Sequence, residues 1–134
     1  MFPGYRYGLL PLLQIMADDG RYGYEDCRVL ICAHFNLRDE SMEATRPDSK
    51  QKYSYGWVSN MIQELERLKL IQYVGRNKNG KSIFEITDLG RRIIRVIEIL
   101  PDLRSIELSI IYILERFPEY QRYIESFRRS DRSA

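Results

Sequence analysis

Histidine and cysteine are nearly missing from this chain. Its 134 residues include one histidine, His34, and two cysteines, Cys27 and Cys32. The cysteines are five positions apart, which is not the spacing of a CxxC metal or redox pair. One histidine leaves a zinc site short of ligands. The expectation is two reduced, buried thiols, with no metal and no cofactor. The same scarcity removes catalytic constellations: there is no His paired with a nucleophile, no HxxxH and no GxSxG. Long apolar runs are also lacking, and none reaches the ~18 residues that a membrane span needs. No basic segment leads into an apolar stretch with a cleavage site, so a cytoplasmic protein is expected. Nor is there a charge excess of one sign: 21 Lys and Arg stand against 19 Asp and Glu, a net charge of +2.

What is present suffices for one domain, or one small domain with an appendage. A 44% hydrophobic share can bury a core, and 30% charged residues keep the surface wet. The charge is uneven along the chain. From Arg46 to Lys81 there are eight basic residues and three acidic ones, a local surplus that attracts a polyanion.

The first helix is expected over Leu9–Asp18, with Pro11 tolerated in its first turn and Asp18-Asp19-Gly20 stopping it. Arg21–Tyr24 reads as a loop. A second helix over Tyr24–Phe35 places Cys27, Leu30, Ile31, His34 and Phe35 on one side, with His34 bordering the core. Asn36–Lys52 is polar, holds one helical turn over Leu37–Glu43 and a turn at Arg46-Pro47-Asp48-Ser49, and carries Lys50 and Lys52 into the next helix.

That helix opens at Tyr53-Ser54-Tyr55-Gly56-Trp57 and runs to about Leu70. At 100° per residue, Trp57, Met61, Leu65 and Leu68 fall within about 80° of one another. Tyr55, Ser59, Asn60, Gln63, Glu66 and Arg67 lie opposite. Two β-type runs follow, Leu70–Val74 and Ser82–Ile86, joined by a Gly/Asn-rich basic turn that signals a hairpin. Thr87 or Asp88 then caps a helix bearing Leu89, Ile93, Ile94, Ile97 and Leu100.

The turn contains a false lead. Gly75-Arg-Asn-Lys-Asn-Gly-Lys-Ser82 matches the phosphate-loop pattern GxxxxGK[ST] letter for letter. That chemistry requires a helix directly after the Ser, aiming its N–H groups at the phosphates. Ile83-Phe84-Glu85-Ile86 follows instead, so a hairpin tip is expected and a nucleotide is not. Glu64-Leu-Glu66-Arg-Leu-Lys69 has the residue types of a nuclease site without its spacing, so no enzyme is expected.

After Pro101, Asp102–Phe117 is apolar nearly all round, and Glu119–Arg129 repeats an apolar face at helical spacing. Two such faces exceed what a small domain hides alone. The division expected is a DNA-binding domain over residues 1–100 and a homodimerisation extension over 101–134. Its interface would use Leu103, Ile106, Ile110, Ile113, Leu114, Phe117, Tyr120, Ile124 and Phe127.

Leu9-Leu-Pro-Leu-Leu13, Asn36-Leu-Arg-Asp-Glu40, Tyr53 with Gly56-Trp57, Leu65–Ile71 and Ile86-Thr-Asp-Leu-Gly90 together resemble the N-terminal domain of Mrr-type restriction proteins over about Leu9–Arg92. The resemblance implies a winged helix taken to bind DNA, which in that family is fused to a C-terminal nuclease domain. Only helices follow Pro101 here, so the resemblance implies a binder without the cleaving domain.

The expected fold is α+β, mostly α: a winged helix-turn-helix with C-terminal dimerisation helices. The expected function is sequence-dependent binding of double-stranded DNA by a homodimeric transcriptional regulator. The alternatives are a non-catalytic recognition subunit of a restriction or defence system, or a winged-helix protein-interaction module. Ser54, Tyr55, Ser59, Asn60 and Gln63 are the expected base readers in the major groove. Lys50, Lys52, Arg76, Asn77, Lys78 and Lys81 complete the expected DNA contacts, mostly to phosphates.

Overall fold

The computed structural model describes residues 2–37, 44–45, 52–100, 102 and 105–120. Lys50, Leu103, Ile124 and Phe127 lie outside these residues, as do most of the expected helical turn after Leu37 and the helix beyond Tyr120. The described part is α+β and mostly helical. A 3-10 turn at Tyr5–Gly8 runs into α1 (Leu9–Met16); β1 (Tyr22–Gly23) leads into α2 (Tyr24–His34). Then come α3 (Tyr53–Arg67), β2 (Ile71–Arg76), β3 (Ser82–Ile86), α4 (Asp88–Ile99), α5 (Ile106–Arg116) and a 3-10 turn at Pro118–Tyr120.

The strands form one antiparallel sheet in the order β1-β3-β2. Its first strand was expected to be loop. Tyr22 pairs with Phe84 and Gly23 with Ile83, so two residues without β periodicity of their own gain partners from β3. In the hairpin, Ile71 pairs with Ile86 and Arg76 with Ser82. Register shifts between Tyr73 and Gly75, where the backbone at Gly75 has φ +130°, a conformation open to glycine.

Leu12, Leu13 and Met16 from α1, Cys27 and Ile31 from α2, Met61, Ile62 and Leu65 from α3, and Ile86, Leu89 and Ile93 build a continuous core. Val58 and Ile62 are also buried, which widens the apolar stripe of α3 beyond the face centred on Trp57. Trp57 itself donates from Nε1 to the carbonyl of Pro3 at 2.8 Å and packs beside Phe2 and Phe35, so the N-terminal arm is clipped onto α3.

The face of α2 is rotated from the one expected. Cys27, Arg28, Ile31 and Cys32 are buried, whereas Leu30 and His34 are exposed. His34 meets the edge of Phe35 at 4.9 Å between ring centroids and does not border the core. Arg28 occupies an inward position that an apolar pattern does not register.

The joint between α3 and the hairpin is closely determined. Lys69 adopts φ +64°, Leu70 N donates to Leu65 O at 2.9 Å, and Lys69 N donates to Glu66 O at 3.0 Å, which together close the helix in a Schellman motif. Thr87 then caps α4, its Oγ1 accepting from Gly90 N at 3.1 Å.

The core continues past the boundary expected at Pro101. Ile106, Ile110, Ile113, Leu114 and Tyr120 are buried within this one chain. That corrects their assignment to a surface shared with a second copy: α4 supplies the opposing face, and Arg92 stacks on Phe117 with its guanidinium carbon 4.6 Å from the ring centroid. On α5, Leu108 and Ile111 are the large apolar side chains left about half exposed. No helix among the described residues is long and apolar enough to cross a membrane.

Candidate nucleic-acid interface

The outward face of α3 carries Tyr53, Gly56, Ser59, Asn60 and Gln63. Asn60 and Gln63 are exposed, and Gln63 Nε2 donates to Ser59 Oγ at 3.1 Å, one helical turn back. Both side chains keep donors or acceptors beyond that bond, on an exposed surface. These three expected readers share one face.

Ser54 does not join them. It is fully buried, and its Oγ accepts from Arg28 Nη1 at 3.3 Å. Its position on the helix turns it toward α2, which corrects its placement among the base readers. Tyr55 is half-buried at the same seam. The Arg28 guanidinium carbon stands 4.7 Å from its ring centroid, and the Lys52 ammonium 5.8 Å from it. Arg28 also makes a paired contact with Glu25, with Nε to Oε2 at 2.9 Å. This hydrogen-bonded pair holds the Glu25 carboxyl below its ordinary value, with smaller help from Tyr55 and Lys52. A buried guanidinium thus locks the start of α3 to α2. Glu25-x-x-Arg28 is legible as an i, i+3 pair, but its burial is not.

At the hairpin tip, Asn77 Oδ1 accepts from the amides of Asn79 and Lys81 at 2.9 and 3.0 Å, while Gly80 takes φ +73°. Arg76 Nη1 donates to the carbonyl of Gly80 at 3.0 Å. The Asn77 and Arg76 side chains therefore brace the turn, and the cations exposed on the hairpin are Arg76, Lys78 and Lys81. Among the described residues no ion pair involves Lys69, Lys78 or Lys81. Ser82 opens β3, so the segment matching the phosphate-loop pattern ends in a strand without the helix N-terminus its chemistry needs.

Elsewhere among the described residues the charged groups are mostly paired. A groove of about 840 Å³ between the first 3-10 turn, α1, the end of α3 and α5 includes Arg6, Leu10, Pro11, Glu64, Arg67 and Glu107. Its charges are matched internally, Arg6 to Glu107 at 3.6 Å and Arg67 to Glu64 at 2.6 Å. No group of three His, Cys, Asp or Glu among the described residues could hold a metal ion. Burial pushes the Cys27 thiol up to about 12, with the Asp26 charge adding to the shift, so this sulfur is unsuited to act as a nucleophile or a ligand.

No curated protein and no solved structure matches the chain. The family model of the Mrr N-terminal domain matches residues 5–96, a span that runs from the first 3-10 turn into α4 and takes in the whole sheet, α3 and the hairpin. The chain belongs to the Mrr N-terminal domain family.

Proposed function

We propose that the protein binds double-stranded DNA as a winged helix, with α3 in the major groove and the β2–β3 hairpin as the wing. The observation that carries this reading is the juxtaposition in sequence and fold of two surfaces. A helix whose outward face offers Ser59, Asn60 and Gln63 passes, through one tight turn, into a hairpin that holds Lys78 and Lys81 outward. Hydrogen-bonding side chains on a helix read base edges, and lysines on a projecting loop hold phosphates. The sheet order β1-β3-β2 and the succession of α2, α3 and hairpin support the winged reading.

In this account the protein acts as a homodimeric transcriptional regulator, two copies meeting through Leu108 and Ile111. Membership of the Mrr N-terminal domain family favours a second reading, the recognition subunit of a restriction or defence system whose nuclease lies on another chain. Both readings make the same first demand. Selection of bound duplexes from a random pool, at a stated salt concentration, should recover a consensus. A palindromic consensus is the outcome expected of the dimer. Failure to enrich any sequence would overturn sequence-dependent binding.

A further inference from the structure

Gly56 is the fourth residue of α3 and lies on its outward face. Glycine in a helix lowers stability by about 1 kcal/mol relative to alanine. Two other glycines of this chain have a packing reason to lack a side chain. A Cβ at Gly8 would stand 2.3 Å from Met61 Cε, and one at Gly90 would stand 2.3 Å from the carbonyl oxygen of Leu70. Gly75 and Gly80 have positive φ. Gly56 has neither reason: its backbone is ordinary helix, and among the described residues a Cβ there would meet nothing within 4 Å. Among the described residues the missing side chain brings a loss and no gain.

The neighbours of Gly56 on the helix surface, at spacings of three and four, are Lys52, Tyr53, Ser59 and Asn60. They surround the half-buried backbone at Gly56. Together they combine a cation, an aromatic ring, a hydroxyl and an amide, the groups that meet phosphate, sugar and base edges. We propose that Gly56 is the point of closest approach between α3 and a strand of duplex DNA, its missing Cβ admitting the sugar-phosphate backbone or a base edge to contact with the helix backbone. This inference rests on the DNA-binding reading above and adds to it the position that sets how deeply α3 can seat.

The test uses the full chain, its Gly56→Ala and Gly56→Leu variants, and a duplex recovered by selection. Alanine and leucine are similarly good helix formers, so helix propensity predicts that both variants melt at higher temperature than the wild type. Close approach predicts the opposite order for binding: the affinity of Gly56→Ala should fall on the order of tenfold, as expected for an overpacked methyl, and that of Gly56→Leu further. A stepwise loss of affinity in proteins that melt higher supports the proposal. Binding by either variant as tight as wild type overturns it. Lower melting temperatures in both variants would also overturn it, because the glycine would then serve the fold. Absence of binding by the wild type would instead defeat the DNA-binding reading itself, a result visible before any variant is made.

Discussion

Thr87 and Lys69 are joined by a hydrogen bond of 2.6 Å, the Thr87 hydroxyl donating to the Lys69 carbonyl. The same oxygen accepts from Gly90 N at 3.1 Å, so one hydroxyl caps α4 and fastens it to the residue that ends α3 in a left-handed conformation. Through this link the orientation of α4, the start of the hairpin and the end of α3 become one unit. Thr87→Ala should therefore lower unfolding free energy by about 1–2 kcal/mol, the range for a lost cap. Thr87→Ser, which keeps the oxygen, should recover most of it. Urea unfolding checks both, and equal losses in the two variants would remove the hydroxyl from the account.

Gly90 makes the opposite demand to Gly56. A Cβ at Gly90 would stand 2.3 Å from Leu70 O and 2.7 Å from Ile86 Cγ1. That carbonyl is held in place by accepting from Thr87 N at 3.0 Å, so it cannot retreat without breaking the joint. Gly90→Ala should destabilise the fold by about 1–3 kcal/mol despite alanine's better helix propensity. Thermal unfolding that shows Gly90→Ala as stable as wild type would contradict the packing described.

Glu25 gives a dependence on pH. Its hydrogen bonds from Arg28 hold the folded carboxyl below its unfolded value, with burial opposing and Tyr55 and Lys52 assisting. A depressed carboxylate adds stability that is fully present above the unfolded pKa of about 4.3 and fades as pH falls through the folded value. The stability gap between wild type and Glu25→Gln should thus be largest near neutral pH and shrink on acidification below about pH 4.3. A gap that stays constant across that range would show that the carboxylate charge is not what Arg28 recognises.

The two thiols offer a check on the core. Cys27 and Cys32 are both buried, and burial raises the pKa of each, that of Cys27 to about 12. At about pH 8 an aromatic disulfide reagent should leave both unlabelled in the folded protein and titrate both after unfolding in urea. Rapid labelling of either in the native state would contradict the placement of α2.

Much of this was legible in the residues. The helical spacing of Trp57, Met61, Leu65 and Leu68 located α3, and the Gly/Asn-rich turn located the hairpin and exposed the false phosphate loop, because a strand had to follow Ser82. What escaped depends on partners distant in sequence. Tyr22–Gly23 is a strand only because β3 lies beside it. Arg28 is buried where Glu25, Ser54 and Tyr55 meet its charge. With Arg28 on the inward face of α2, His34 lies on the exposed one, and Ser54 is turned inward to the same guanidinium. The apolar residues of α5 looked like a surplus for a partner because the capacity of α4 to cover them is a property of packing and not of pattern. Within the candidate interface, the spacing located α3 and the hairpin, while only geometry separated the Lys78 and Lys81 side chains from those of Arg76 and Asn77, which brace the turn.

That separation makes the central claim measurable. Fluorescence anisotropy of a selected duplex, titrated with wild type and with the Lys78→Ala/Lys81→Ala double variant over a series of salt concentrations, reads the phosphates neutralised. Each contact contributes a log–log slope of about −0.9, so the double variant should bind more weakly and with a slope shallower by about 1.8. Wild-type affinity that does not fall with salt, or a double variant with an unchanged slope, would contradict a DNA-binding wing.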